Sequence, residues 1–172
     1  ERVLTHLFKL GHKKILFLNS KINLTISKER VEAYKNIFEK NQIEFDEKYI
    51  IHNANSLKEE GLIALNNIKD TLEYTAVIAA NDLLAKAVYE YANNNKKIIG
   101  KDISVVALGG DTYIKDVLKP NLSYAHQDYQ ILGVESTKLL VKKIINPQLK
   151  DLQVVYKSQL FLTNSCGNIK SK

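Results

Sequence analysis

Cysteine occurs once in this chain of 172 residues, as Cys166, and methionine does not occur at all. A single thiol excludes an internal disulfide and any metal site built from clustered cysteines, and it fits a reducing cytoplasm. Long hydrophobic runs are missing as well. The longest, Thr75 to Ala80 and Ile103 to Leu108, have strand length and fall far short of the roughly 20 residues a membrane helix needs. The opening Glu1-Arg2-Val3-Leu4 is already amphipathic and lacks the charged and apolar regions of a signal peptide. With no methionine to start it, the chain reads as a fragment of a longer product. Charge of one sign is not concentrated anywhere. Lys and Arg number 25 against 19 Asp and Glu, a net +6, but the lysines are scattered, with pairs such as Lys13-Lys14, Lys96-Lys97 and Lys142-Lys143 and no longer block. That pattern predicts a diffuse solvated surface rather than a nucleic-acid footprint. Arginine is scarce too: 23 of the basic residues are Lys, leaving Arg2 and Arg30. Lys cannot copy the planar fork of donors on a guanidinium, so an Arg at a directed position draws interest.

What is present is an ordinary folded composition. With 45% hydrophobic and 26% charged residues, disorder and collagen-like structure are excluded, and the length suits one compact unit or two small lobes. Neither an internal repeat nor a low-complexity linker interrupts it. Short aliphatic runs at Ile15 to Leu18, Tyr49 to Ile51, Ala76 to Ala80 and Ile103 to Leu108 alternate with helix-like segments. The runs lack polar alternation, so they are expected to be buried on both faces, as in a parallel sheet covered by helices. The fold class is α/β.

Between the first two runs, Ser27 to Lys40 places Val31, Tyr34, Ile37 and Phe38 at helical spacing. Ser56-Leu57-Lys58-Glu59 has the Ser-x-x-Glu form of a capping box, followed by the stripe Leu57, Gly61, Ala64, Leu65 and Ile68. Gly61 within that stripe costs helix propensity but lets two backbones approach. A third helix, Leu83 to about Ala92, stops at Asn93-Asn94-Asn95. A loop with Pro120 then leads to a short run, Leu122 to Ala125, and to a helix from about Tyr129 to Ile145 stopped by Asn146-Pro147. Val154 to Leu162 alternates and reads as a strand, in the manner of an edge strand.

Ligands of a doubly wound sheet bind beyond the carboxyl ends of its strands. The residues there are Asn19-Ser20, His52-Asn53, Asn81-Asp82 and Gly109-Gly110-Asp111. Most carry both donor and acceptor capacity, which suits a hydroxyl-rich neutral ligand, a sugar before a phosphate. Arg30 lies four and seven residues before Tyr34 and Ile37, which puts it on their sheet-facing stripe with its guanidinium toward the ligand edge. An exposed Arg paired with a nearby Glu is the competing reading. Asn81 has a similar contest, because an Asn-Asp pair before a helix is often a cap; Asp82 is the better candidate, which leaves Asn81 free. Enzymatic signals are weak. His6, His12, His52 and His126 have no close ligand spacing, no nucleophile elbow or phosphate loop is present, and Cys166 sits in a polar tail.

Taken in order, His6-Leu7, Leu10-Gly11-His12-Lys13-Lys14-Ile15, Glu29-Arg30 with Tyr34, Glu60-Gly61, Ala79 to Ala85 and Asp102 to Val106 resemble the lactose-repressor/galactose-repressor family. Pro120-Asn121-Leu122-Ser123, Gln127-Asp128-Tyr129 and Leu132-Gly133 continue the match over nearly the whole chain. The resemblance implies a cytoplasmic bacterial transcription regulator with a periplasmic-binding-protein-like (type I) effector domain, two lobes closing on a small sugar or sugar phosphate. It implies no cofactor, no metal and no membrane. A homodimer and operator DNA are the implied partners, the DNA reached through an N-terminal helix-turn-helix domain that precedes this segment. On that view about 13–121 plus 152–165 form the second lobe, and 1–12 and 127–148 are a remnant of the first, whose helix would expose apolar surface. The family's effector-contacting Arg falls on Arg30, its Asn on Asn81 and its Gln on Gln127. Its sugar-binding aspartate falls on Gly109, and Asp111 is the substitute at hand; the Gly109-Gly110 form is similar to the sucrose-repressor branch. Ala33 and Thr163-Asn164-Ser165 also depart from the family pattern. A transport solute-binding protein of the same fold is the alternative, and a sugar-modifying enzyme a third.

Overall fold

The computed structural model describes residues 1–53, 55–109, 113–150 and 153–169. Twelve elements follow one another: α1 Arg2–Lys9, β1 Ile15–Asn19, α2 Thr25–Lys40, β2 Ile50–His52, α3 Lys58–Ile68, β3 Ala76–Ala79, α4 Asp82–Asn94, β4 Ser104–Ala107, α5 Ile114–Val117, β5 Ser123–His126, α6 Tyr129–Ile145 and β6 Gln159–Phe161. A short 3-10 turn, Glu47–Tyr49, enters β2. The strands form one six-stranded sheet in the order β2-β1-β3-β4-β5-β6. The first five are parallel, in a register that runs through Ile50, Phe17, Ile78, Val106 and Ser123. Only β6 is antiparallel, with Phe161 opposite Tyr124. The chain is thus an α/β fold with a mostly parallel sheet flanked by helices.

The central strands are buried along their length, as runs without polar alternation predict. At the edge the expectation fails: β2 is half-buried because, among the described residues, nothing pairs with its outer side. The alternating segment Val154 to Leu162 is extended less than its pattern predicts. Only Gln159–Phe161 pairs, and Val154 and Tyr156 stay about half exposed with no strand beside them.

Helix packing follows the apolar spacing. Tyr34, Ile37 and Phe38 of α2 are buried, with Tyr34 stacked on Phe38 at 4.5 Å and its hydroxyl donating to Ile15 O at 2.6 Å. Val3, Leu4 and Leu7 of α1 are buried in the same core, so α1 packs with the sheet. At Gly61 an added Cβ would lie 2.9 Å from Ala87 Cβ and from Leu84 Cδ2, the close approach of α3 to α4 that a missing side chain permits. The capping box is not formed. Ser56 has a φ of 56°, in the left-handed region, and Leu57 occupies the cap position. The reach-back instead comes from Glu60, whose carboxylate accepts from Asn55 N at 2.8 Å and Asn55 Nδ2 at 2.6 Å.

The segment after β6 ties the strands together. Ser165 Oγ accepts from Ser123 N at 2.8 Å and donates to Val105 O at 2.7 Å, and Gly167 N donates to Ser104 Oγ at 3.0 Å. The buried His12 ring reaches Gly167 O at 3.0 Å and Thr75 Oγ1 at 2.9 Å. In contrast, no residue of α6 is buried, and Ile131, Val134, Leu140, Val141, Ile144 and Ile145 all stand open.

Candidate functional site

Because five strands run the same way, Asn19, His52, Ala80 and Leu108 leave the sheet at one edge. Two of the polar residues met there are structural. Asn19 is buried, its Nδ2 donating to Ser27 O at 3.0 Å and its Oδ1 accepting from Ser20 N at 2.9 Å. Asn53 Nδ2 donates to Asn19 O at 3.0 Å. These bonds fix the turns after β1 and β2 and leave little for a ligand.

Arg30 is directed toward that edge, as its stripe predicts. Long helical side chains lean toward the helix N-terminus, and Arg30 NH1 lies 3.4 Å from Ala80 O, just past β3. No carboxylate lies within 4 Å of it among the described residues, so the surface ion-pair reading does not hold. Burial pushes the guanidinium below its ordinary pKa, and the Tyr129 phenol opposes that shift.

Asn81 follows Ala80 directly and caps α4. Its side-chain oxygen accepts from Leu84 N at 2.8 Å, and its Nδ2 donates to Ser56 O at 3.0 Å. This corrects the expectation that Asp82 caps and Asn81 is free. Asp82 is buried in the first turn of α4, one residue too late to cap it. Asn81 is partly buried, and Gly109 is its neighbour, where a Cβ would meet Asn81 Cα at 4.0 Å. Asp111 lies outside the described residues.

Gln127 stands between β5 and α6, its Oε1 accepting from the Tyr129 hydroxyl at 3.0 Å. The Tyr129 phenol also acts electrostatically on Arg30, whose NH1 lies 3.4 Å from Ala80 O. The sequence signal for Tyr129 is an aromatic residue two positions past a candidate ligand-binding amide. A hollow of about 460 Å³ opens beside Gln127, with Asp128, Tyr156 and Phe161 on its walls, and neither Arg30 nor Asn81 lines it. Ile22, Leu24 and Ile26, alternate residues running from the turn after β1 into α2, are all about half exposed, a feature the sequence patterning does not single out.

The remaining chemistry is quiet. Burial pushes the Cys166 thiol up, and its Sγ donates to Val105 O at 3.5 Å, so it packs against the core rather than lying in a polar tail. Among the described residues no group of His, Cys, Asp and Glu has the arrangement of a metal site, and no helix is long and apolar enough to cross a membrane.

A model of the periplasmic binding protein-like domain matches residues 4–162. The HTH-type transcriptional regulator CelR of Thermobifida fusca is 22% identical over 160 residues, which is 92% of this chain and 46% of CelR. Among solved structures, a transcriptional regulator LacI from Bacillus cereus subsp. cytotoxis superposes with a TM-score of 0.91 at 24% identity, over 98% of this chain and 60% of that one. A CelR–cellobiose complex superposes with a TM-score of 0.82 at 22% identity, over 93% and 49%. The chain spans about half the length of the curated relatives it matches. A match over that range, with a sheet and edge of this kind, makes the chain a member of the periplasmic binding protein-like domain family, and the relatives it matches are LacI-family transcriptional regulators.

Proposed function

We propose that this chain is the effector-sensing part of a cytoplasmic bacterial transcriptional repressor, which takes a small sugar between two lobes and thereby alters operator binding. The observation that carries the reading is the half-buried Arg30 at the carboxyl edge of the sheet, 3.4 Å from Ala80 O and within electrostatic reach of Tyr129 at the start of α6. Ligand oxygens would bond to Arg30, to the remaining capacity of Asn81 and to Gln127, with Asp111 as a further contact. CelR bound to cellobiose supplies a relative with a sugar. The sheet with α2 to α5 and the closing strand forms one lobe. Burial of Val3, Leu4 and Leu7 favours placing α1 with it, whereas α6, with nothing buried, belongs to the first lobe. A homodimer would match a two-fold operator.

Closing the lobes changes DNA affinity only by the difference in ligand affinity between the two states, typically about 1 to 3 kcal/mol. The test is operator binding by the intact gene product, followed by fluorescence anisotropy with and without a panel of mono- and disaccharides. A sugar is expected to shift operator affinity by roughly 5- to 150-fold, and Arg30→Ala to lose that response while melting normally. A fully responsive Arg30→Ala variant contradicts the assignment.

A further inference from the structure

The chain returns from α6 to the sheet through residues 153–158, all of them exposed and none in a helix or strand. Open space flanks this passage on both faces of β6. The hollow of about 460 Å³ lies against Gln159 and Phe161, and another of about 530 Å³ lies against Leu160, Val3 and Leu108; Tyr156, Lys157 and Ser158 border both. Among the described residues, and apart from the pairing of β5 with β6, the six residues make one hydrogen bond to the rest of the chain. Arg2 Nη1 donates to Ser158 O at 2.9 Å.

Arg2 is held from behind. Val3, Leu4 and Leu7 of its helix are buried in the core of the sheet, and among the described residues no carboxylate within 4 Å draws the guanidinium elsewhere. The outward passage, from β5 to α6, is stiffened by its own bonds: Gln127 Oε1 accepts from the Tyr129 hydroxyl at 3.0 Å, and Asp128 caps α6 through Ile131 N at 2.9 Å. The return passage has none of these among the described residues. An exposed bond of this kind adds little to the stability of a folded sheet, so its weight lies in what it keeps from moving. Hinges are a few residues that absorb the rotation between two bodies. A slack passage takes up that rotation in many ways, which leaves a ligand a smaller difference between two states to act on.

We infer that Arg2 is a positioning residue for the effector response: its bond to Ser158 O clips the return passage to α1, so that the passage and α6 turn together about a fixed point. The inference rests on the two-lobe reading above, in which α6 lies across the hinge from the sheet, and adds to it the residue that sets how far sugar binding is felt at the DNA.

The test uses the intact gene product and an operator duplex recovered by selection from random sequence. Titration calorimetry with a panel of glucose, fructose, ribose, sucrose, maltose and cellobiose finds the sugar that binds, and the readout is the ratio of operator affinities without and with that sugar. Arg2→Ala is expected to bring this ratio down at least about threefold while the sugar affinity of the DNA-free protein stays within about twofold. Arg2→Lys, which keeps a donor for the same carbonyl, is expected to retain most of the ratio. Lys157→Ala removes a charge from the same passage without touching the bond and is expected to retain all of it. A ratio that survives Arg2→Ala, or that falls as far in Lys157→Ala, overturns the clip and leaves the sugar reading standing. Should Arg2→Ala not fold, the guanidinium resonance of Arg2 in the unmodified protein must shift as sugar and operator are added in turn, and a resonance unmoved by both overturns the clip as well. If no sugar of the panel alters operator binding by the unmodified protein, both the clip and the sugar reading fall.

Discussion

Asn81 commits both ends of its amide to the protein, capping α4 through Leu84 N and holding the turn before α3 through Ser56 O. Asn81→Ala is expected to lower stability by about 1 kcal/mol for the cap, and somewhat more because Ser56 O loses its donor. Urea denaturation reads this as a lower midpoint at unchanged slope; an unmoved midpoint would show the cap to be idle. Sequence patterning located Arg30 because a stripe of Tyr34 and Ile37 defines a direction on a helix. It assigned the cap to Asp82 instead of Asn81, because both residue types cap well and a helix start read from sequence is uncertain by a residue. His12 was legible only as part of a short polar motif, and its buried ring makes a different prediction. Desolvation lowers its pKa below 6.5. A folded-state pKa below the unfolded one means that the folded form resists protonation. Stability is therefore expected to be level above about pH 6.5 and to fall as the pH drops below it, through the folded-state pKa. His12→Gln should remove part of that slope, and a wild-type slope in the variant would contradict the assignment.

Helices and strands with a one-sided or fully apolar pattern were readable because burial imposes the pattern. The central strands and α2 stand where their spacing predicts. What patterning missed is held by polar bonds made far along the chain. The strap from Thr163 to Ile169 has no periodicity, yet the Ser165 hydroxyl bonds both the buried Ser123 N and Val105 O. Ser165→Ala removes the hydroxyl that Ser123 N donates to and leaves Val105 O with the weaker Cys166 Sγ donor, and is expected to cost about 1 to 3 kcal/mol, measured by thermal or chemical unfolding; a loss below about 0.5 kcal/mol would mean that the strap merely lies on the sheet. Similarly, the capping box failed because Ser56 adopts a left-handed backbone to accept from Asn81, a tertiary demand invisible in four residues. The alternation over Val154 to Leu162 overstated β6 because alternation marks the capacity to pair, and only three residues find a partner.

At the scale of the whole molecule, one end of the chain is finished and another is not. The sheet has a continuous core, whereas α6 turns Val134, Leu140, Ile144 and other apolar side chains to solvent. A contiguous exposed face of this kind marks a surface that something covers. This chain on its own is therefore expected to bind a hydrophobic dye, and Leu140→Lys with Ile144→Lys should reduce the binding while changing the stability of the sheet by less than about 0.5 kcal/mol. A loss of several kcal/mol would mean that α6 packs on this core after all.

The account depends most on the ligand edge. In a labelled sample of the intact gene product, addition of the tightest-binding sugar from the calorimetric panel should shift the amide resonances of Ser20 to Arg30, Ala80, Asn81, Gly109 and Gln127, together with the guanidinium signal of Arg30. Shifts gathered instead at the opposite end of the strands, around His12, Thr75 and Lys101, would contradict it.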